Sequence, residues 1–338
     1  MVRAQLLSQL LSKVRSATRS SLLLCLSLLA GCGSGSRVTI AVIPRTTGAM
    51  LWEPEHRGAQ EAALNAGARI YWNAPTREDD IEGQVALVQR VGSERYDGIL
   101  LAPDQSRALI TPVRHAMQRG IPVVVIGSPL PMAANGELSY VLNDEEAGAR
   151  IGAERAEAVA PCKSAVAIMG IDRDIAGIVT RAQAVERYLV QRCPSIRLVK
   201  RDGSFNTPHE QQVAEETLRS NPDVAVVMTL TGTSTSGALS AVKNLHLEKA
   251  IRVIGFDPDL MGFSNSGLDA LVLENTREMG AEGVRRILER KRTGIWASMT
   301  YVEPVLVTRE NVDSTQIREM TAMNWSPEPQ TPTWRLIR

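Results

Sequence analysis

The segment Thr231-Gly-Thr-Ser-Thr-Ser-Gly237 is the stretch of the chain whose residue types come nearest to a catalytic motif. A serine hydrolase places its nucleophile in Gly-x-Ser-x-Gly, on a sharp turn between a strand and a helix. Around Ser234, however, Ser236 holds the closing position instead of glycine, and the sequence offers no identifiable base. Because the segment follows an apolar run and opens a helical one, we expect its hydroxyl and N–H groups to lie at the carboxyl end of a parallel sheet, which is where ligands bind in open α/β folds.

Other catalytic signatures are missing from the sequence. It carries no dinucleotide-binding fingerprint, no Walker A motif and no histidine–cysteine cluster with metal-ligand spacing. All four histidines lie on polar stretches or at the ends of predicted helices, where a solvated surface side chain is the better interpretation. They are His56, His115, His209 and His246. The sequence therefore predicts a protein that is not an enzyme and that requires no metal or cofactor.

The first 31 residues have the pattern of an export signal. Residues 1–19 carry four basic residues and no acidic one, and an apolar run follows at 20–30. That run is much shorter than the roughly 20 apolar residues of a membrane-spanning helix. Leu29-Ala-Gly-Cys32 matches the lipobox of bacterial lipoproteins, in which the cysteine is acylated. We predict a signal peptide at 1–31, a lipid on Cys32 and a tether at 32–37; the alternative is an ordinary signal peptide followed by a cysteine.

Charge and cysteine usage agree with export. Removing the signal peptide leaves 34 basic and 37 acidic residues, a net charge of −3. This charge does not indicate a nucleic-acid-binding surface. Cys162 and Cys193 each precede a predicted strand, and neighbouring parallel strands would bring the two thiols within disulfide range. An oxidising compartment favours the bond; two unbonded, buried cysteines are the alternative.

Short β-branched runs alternate with amphipathic segments from Val38 onward. The first set comprises strands at 38–43, 68–72, 98–101 and 123–126 and helices at 55–66, 79–91 and 106–119. The second set comprises strands at 165–169, 196–200, 224–228 and 251–256 and helices at 145–159, 177–191, 208–219 and 233–244. A strand at 268–273, a helix at 278–290 and a strand at 305–307 close the array. Continuously apolar strands between helices are typical of parallel sheets covered on both faces. We therefore predict an α/β fold with two doubly wound parallel-sheet lobes.

Polar loops follow many of these strands, at the edge of the sheet where ligands bind in open α/β folds. They are residues 44–52, 103–105, 127–130, 170–174, 203–206 and 257–260. Any one of them could be an ordinary loop. If two lobes face each other, however, all of them converge on one cleft.

Six segments of the chain, in order, are similar to the ribose-binding-like (type I) substrate-binding proteins of ABC transporters. They are Val38-Thr-Ile-Ala-Val-Ile-Pro44, Gly58-Ala-Gln-Glu-Ala-Ala63, Tyr96-Asp-Gly-Ile-Leu-Leu-Ala-Pro103, Gly120-Ile-Pro-Val-Val-Val125, Pro222-Asp-Val-Ala-Val226 and Val253-Ile-Gly-Phe-Asp257. Trp72-Asn-Ala-Pro75, Arg77-Glu-Asp-Asp80 and Gln84 resemble a subgroup of sugar binders. Repressors that share this fold carry a DNA-binding helix-turn-helix ahead of it, whereas we predict a lipoprotein signal at that place in this chain.

The resemblance implies two lobes joined by three crossovers near Asn143, Glu274 and Glu303. The lobes would rotate about this hinge and close on a ligand between them. It places residues 38–143 and 275–303 in the N-terminal lobe and residues 144–274 and 304–311 in the C-terminal lobe. The remaining residues 312–338 are polar and form either a strap or a disordered extension.

Some ligand-contacting positions of the family carry suitable residues here. Trp52 and Phe205 match the aromatic side chains that pack on the sugar, and Asp257 matches a carboxylate that binds its hydroxyls. Glu274 matches a polar residue of a crossover. The alternatives are two core aromatics, a helix N-cap and a hinge salt bridge.

Other positions depart from the family's pattern. Gly127-Ser128 replaces an Asp-Arg pair, Val179 falls at the position of a ligand arginine (with Arg181 two residues on), and Thr231 replaces an amide. Arg45 and Asp174 lie in loops that face the predicted cleft and could substitute, with surface ion pairs as the alternative.

The sequence thus indicates a monomeric, lipid-anchored substrate-binding protein of the periplasm or cell surface. It would capture a small polar solute, a sugar or polyol, and deliver it to an ABC permease in the membrane. The alternative with the same fold is a ligand-sensing lipoprotein that presents its closed form to a membrane receptor kinase.

Overall fold

Two six-stranded sheets dominate the protein, whose computed structural model describes residues 37–77, 79–160, 162–256, 263 and 267–323. The strands of the first sheet are β1 (Thr39–Ile43), β2 (Arg69–Trp72), β3 (Gly98–Leu101), β4 (Val123–Gly127), β5 (Leu138–Asn143) and β11 (Met299–Val302). Their order across the sheet is β11-β5-β4-β3-β1-β2, and all of its pairings are parallel. Every residue of β3, β4 and β5 is buried, as expected of parallel strands with both faces covered.

The second sheet repeats this design with the strands β6 (Ala165–Ile171), β7 (Arg197–Asp202), β8 (Val224–Thr229), β9 (Arg252–Phe256), β10 (Leu268–Leu273) and β12 (Val305–Thr308). Their order across the sheet is β12-β10-β9-β8-β6-β7. Within the described residues only the edge strand β12 pairs antiparallel, with β10.

Helices cover both faces of each sheet, so four apolar clusters form, two in each lobe. The helices are α1 (Glu53–Asn65), α2 (Ile81–Ser93), α3 (Ile110–Gln118), α4 (Glu145–Val159), α5 (Ala176–Arg192), α6 (Thr207–Ser220), α7 (Gly232–Asn244), α8 (Thr276–Thr293) and α9 (Thr315–Met320). A short 3-10 helix, Met50–Trp52, precedes α1. Helix α8 lies very close to the first sheet: a Cβ on Gly98 would stand 2.4 Å from Ile287. The predicted α/β architecture of two doubly wound lobes is confirmed.

The chain passes from one sheet to the other three times within the described residues, after β5, after β10 and after β11. Helix α8 and strand β11 therefore return to the first sheet after the second has been built, and β12 goes back to the second. Strands β5 and β11 and helix α9 were not among the predicted elements.

The structure joins Cys162 to Cys193 in a disulfide, with their Cα atoms 5.1 Å apart. Glu157 lies beside them, but both sulfurs are committed to each other and not available to a metal. Among the described residues, no helix is both long and apolar enough to cross a membrane.

Candidate functional site

The carboxyl ends of β1, β3, β4 and β5 carry polar side chains of the first lobe toward the second. Gln84 on α2 fixes the spacing of two of these ends. Its buried amide donates to the carbonyl oxygens of Pro44 (3.1 Å) and Ala102 (2.9 Å) and accepts from the N–H of Asp104 (2.9 Å). The loops after β1 and β3 are therefore held together before any ligand arrives, because one buried side chain bonds both.

Arg45 places a positive charge at this edge of the first lobe. Its Nε donates to the carbonyl oxygen of Pro103 (3.1 Å), and its Nη2 donates to Ser128 Oγ (3.3 Å). The guanidinium also lies 5.6 Å from the ring centroid of Trp52, which is a cation–π contact. Trp52 itself is 5% exposed and packs in the core between the first sheet and α1. Three predicted residues are thus brought together: Arg45, Trp52 and Ser128.

The two lobes meet at Ser128 and Gly177. Gly127 has a φ of +72°, a left-handed conformation that turns the chain at the end of β4 and sets Ser128 toward the second lobe. Gly177, in the first turn of α5, lies so close that a Cβ there would stand 2.5 Å from Ser128 Oγ. The two lobes are therefore in contact at this point, and we call this arrangement closed.

Across the cleft, Arg181 of α5 joins two carboxylates. Its Nε donates to Glu145 Oε2 (2.7 Å) and its Nη2 to Glu145 Oε1 (3.1 Å) and to Glu274. Its Nη1 donates to the carbonyl oxygen of Leu230 (2.6 Å), and its guanidinium lies 4.4 Å from the ring centroid of Phe256. Every nitrogen of Arg181 is therefore already engaged by the protein.

This cluster has more acid than base, and the pKa values reflect it. Burial of Glu145 raises its pKa to about 7; the neighbouring carboxylate of Glu274 adds to the increase and the Arg181 guanidinium opposes it. Burial alone would lower the pKa of Arg181, but Glu145 and Glu274 outweigh burial and raise it. Two carboxylates share one guanidinium, so a proton that enters the cluster goes to a carboxylate.

Buried polar atoms without a hydrogen-bond partner among the described residues lie at the same edge of the first sheet. They include both carboxylate oxygens of Glu55 in the first turn of α1, Ser106 Oγ beyond β3 and Asn143 Oδ1 at the end of β5. Burial raises the pKa of Glu55 well above its ordinary value, and Arg45 opposes this effect only in part. Buried polar groups are normally paired, so these atoms have the capacity to bind a polar ligand.

Three further predicted residues are described, Thr231, Phe205 and Asp174, and none of them makes a hydrogen bond to Arg45 or Arg181 within the described part of the chain. Thr231 caps α7 by accepting from the N–H of Ser234 (3.2 Å) and directly follows Leu230. Phe205 is half-buried against the second lobe's core. Asp174 is exposed in the loop after β6, its N–H bonded to Asp172 Oδ1 (2.8 Å). Asp257 and Cys32 lie outside the described residues.

The serine segment has no catalytic geometry. Ser234 is 1% exposed, and its Oγ donates to the carboxylate of Glu210 (2.8 Å), which also accepts from Ser204. This network ties α7 to α6 and is a structural bond rather than an activated nucleophile, since nucleophilic serines are paired with a base in an accessible site.

Glu145, Gly177 and Glu55 were missed as members of the site by sequence reasoning. Glu145 had a detectable signal, because it is a carboxylate in the first turn of a predicted helix directly after a crossover. Gly177 and Glu55 had none, since their role depends on packing between elements that are distant in sequence.

Comparison with known proteins shows the family of the chain. A family model described as a periplasmic binding protein domain matches residues 40–291. The chain belongs to the periplasmic binding protein family. It is a type I, ribose-binding-like member, and the family comprises substrate-binding proteins of transport rather than enzymes.

Two relatives illustrate the range of similarity. The D-allose-binding periplasmic protein of Escherichia coli (strain K12) is 25% identical over 268 residues, which are 75% of this chain and 85% of the relative. The D-apiose import binding protein of Paraburkholderia graminis is 28% identical over 203 residues, 59% of this chain and 62% of the relative.

Solved structures share the fold over most of the chain. A carbohydrate transporter solute-binding protein of Agrobacterium radiobacter in complex with D-arabinose superposes with a TM-score of 0.78 at 21% identity, covering 85% of this chain and 100% of its own. An ABC transporter solute-binding protein of Agrobacterium vitis with bound D-fucose has a TM-score of 0.77 at 25% identity, covering 83% of this chain and 99% of its own.

Proposed function

We propose that this periplasmic binding protein is a lipid-anchored component of an ABC importer and captures a neutral sugar or polyol between its lobes. The relatives and solved structures above are named for pentoses and hexoses, which supports a ligand of this class. It would work outside the cytoplasmic membrane, as a monomer that hands the solute to a membrane permease.

The observation that carries the proposal is the set of buried, unpaired polar atoms at the carboxyl edge of the first sheet. Glu55, Ser106 and Asn143 offer mainly acceptors, which suit the hydroxyl donors of a polyol. Arg181 has its nitrogens occupied by Glu145, Glu274 and Leu230, which disfavours an anionic solute in the second lobe.

The predicted site residues extend this proposal. We propose that Arg45 and Ser128 bind hydroxyls from the first lobe, and that Glu274 and Thr231 do so from the second. Trp52, Phe205, Asp257 and Asp174 complete the predicted set, with Trp52 acting as the apolar wall behind Arg45.

A thermal-shift screen of the fragment from Gly33 against aldoses, ketoses, polyols and amino acids tests the ligand class. A solute bound with a Kd of about 10 μM and supplied at about 1 mM stabilises the folded state by about 2.7 kcal/mol. Arg45→Met together with Ser128→Ala should abolish the shift, whereas Arg173→Met, on the exposed rim, should preserve it. If no sugar or polyol stabilises the fragment, the sugar assignment is wrong.

Labelling with a radioactive fatty acid tests the anchor separately. The full-length chain expressed in a lipoprotein-processing bacterium should incorporate the label and fractionate with membranes, and Cys32→Ser should do neither. Equal labelling of both chains would exclude lipidation at Cys32.

A further inference from the structure

Helix α9 follows the last strand of the second sheet and is built into the core of the second lobe. Ile317 is 1% exposed and Met320 is 7% exposed, and both belong to the apolar cluster that contains Leu271, Leu273 and Val307. Because two buried side chains at positions i and i+3 fix one face of this short helix, α9 moves with the second lobe.

The C-terminal end of α9 and the residues just after it are bonded to the first lobe. Arg277 in the first turn of α8 donates from Nη1 to the carbonyl oxygen of Glu319 (3.3 Å). Arg57 on α1 donates from Nη1 to the carbonyl oxygen of Met323 (3.3 Å), just beyond the helix. Helices α1 and α8 are neighbours that cover the first sheet, so both donors belong to the first lobe.

Glu61 holds the two arginines in position. Its Oε1 accepts from Arg57 Nε (2.8 Å), and its Oε2 accepts from Arg277 Nη2 (2.7 Å). Each guanidinium is thus oriented by one carboxylate and has another nitrogen available for a backbone carbonyl. The carbonyls at a helix C-terminus carry partial negative charge and lack partners within the helix, so cations are favoured there.

We propose that α9 is a strap between the lobes. It packs in the core of the second lobe and accepts hydrogen bonds at and just beyond its C-terminal end from Arg57 and Arg277 of the first lobe. These bonds favour the closed arrangement, in which Ser128 contacts Gly177. The strap adds a noncovalent link to the three covalent crossovers. It also gives residues 315–323 a role that neither the fold nor the ligand site assigns to them.

The preference of the strap for the closed arrangement follows from hydrogen-bond geometry. An N–H···O bond weakens steeply once donor and acceptor separate beyond about 3.5 Å. Rotation of the first lobe about the crossovers moves Arg57 and Arg277 relative to carbonyls that travel with the second lobe, so both bonds are made over a narrow range of angles only. Losing them removes part of the preference for the closed state.

Pulsed electron resonance of the ligand-free fragment from Arg37 measures this preference directly and needs no knowledge of the solute. Spin labels at Arg107→Cys and Arg173→Cys, both exposed and on opposite lobes, report the distance across the cleft. The test variant is Arg57→Gln with Arg277→Gln. The matched control is Arg285→Gln, since Arg285 also lies on α8 but pairs with Glu278 and Glu282 of its own helix.

We expect the double variant to lower the ratio of closed to open populations at least about fivefold and the control to leave it unchanged. A distance distribution that matches the control, or one shifted toward shorter distances, overturns the strap. If the double variant does not fold, Glu61→Gln is judged by the same criteria. This change removes the carboxylate that orients both guanidiniums and keeps the two arginines in the sequence. The outcome is independent of whether any sugar binds.

Discussion

Gly177→Ala should impair closure of the lobes and therefore weaken ligand binding. The added Cβ would stand 2.5 Å from Ser128 Oγ and 2.8 Å from Glu145 Oε1. Neither oxygen can move freely, because Ser128 Oγ is bonded to Arg45 and Glu145 Oε1 to Arg181. Overpacking of this kind costs about 1–3 kcal/mol.

Only the contact with Ser128 crosses between the lobes, so that part of the cost falls on the closed state alone. The apparent Kd rises as the fraction of closed molecules falls, and we expect an increase of about tenfold for a penalty of about 1.4 kcal/mol. Titration calorimetry with the sugar found in the screen measures it. Gly136→Ala is the matched control, since a Cβ at Gly136 meets nothing within 4 Å.

A double-mutant cycle separates closure from local damage. In a Ser128→Gly background the Oγ is gone, so the additional penalty of Gly177→Ala should largely disappear. The reasoning is refuted if Gly177→Ala binds the sugar within twofold of Gly136→Ala, or if its penalty is the same with and without Ser128.

Three further changes test the cluster, the disulfide and the attachment of β11. Because burial raises the pKa of Glu145 to about 7, its contribution to stability is greatest below the pKa of the unfolded chain and is lost as pH rises toward 8. Chemical denaturation should show a smaller fall in unfolding free energy between pH 5 and pH 8 for Glu145→Gln than for the wild type; equal falls would contradict this. Cys162 and Cys193 are 31 residues apart in sequence, and replacing both by serine opens the loop that their bond closes. The free energy of unfolding, measured by urea denaturation, should fall by about 4 kcal/mol, whereas an unchanged urea midpoint would argue against the bond. Arg286, 3% exposed, donates from Nη1 to Ser139 Oγ and to the carbonyls of Tyr140 and Ala297. Arg286→Met should therefore lower the unfolding free energy by about 3 kcal/mol, and its exposed neighbour Arg285→Met by much less; similar losses in both would contradict the assignment.

The alternation of apolar strands and amphipathic helices was enough to predict the architecture, since covered parallel strands have a recognisable composition. Strand β5 was missed because Ser139 and Tyr140 interrupt its apolar run. Ser139 is tolerated at 0% exposure because Arg286 donates to its hydroxyl. Strand β11 was missed because it is a short edge strand whose place depends on pairing with β5, more than 150 residues away.

Prediction of the site was partial for the same reason. Arg45 and Ser128 lie in loops that the sequence placed at the cleft, and Glu274 lies where the sequence placed a crossover. Their partners were harder to find, because the bonds of Arg181 to Glu145 and Glu274 span 36 and 93 residues. No local pattern encodes such pairings, and the hydrogen bond from Arg57 to the carbonyl of Met323 spans 266 residues.

The return of α8 and β11 to the first sheet has a consequence for how the chain folds as it emerges during synthesis or export. Strands β1 to β5 come first, and α1 covers part of the same face of their sheet, but the area over β3, β4 and β5 that α8 covers stays bare until residue 293 has been delivered. Apart from β12, the second sheet is encoded without interruption between β6 and β10, so its long-range contacts close sooner. We expect the second lobe to fold ahead of the first, which leaves the N-terminal strands exposed to aggregation or to chaperones until almost the whole chain is present.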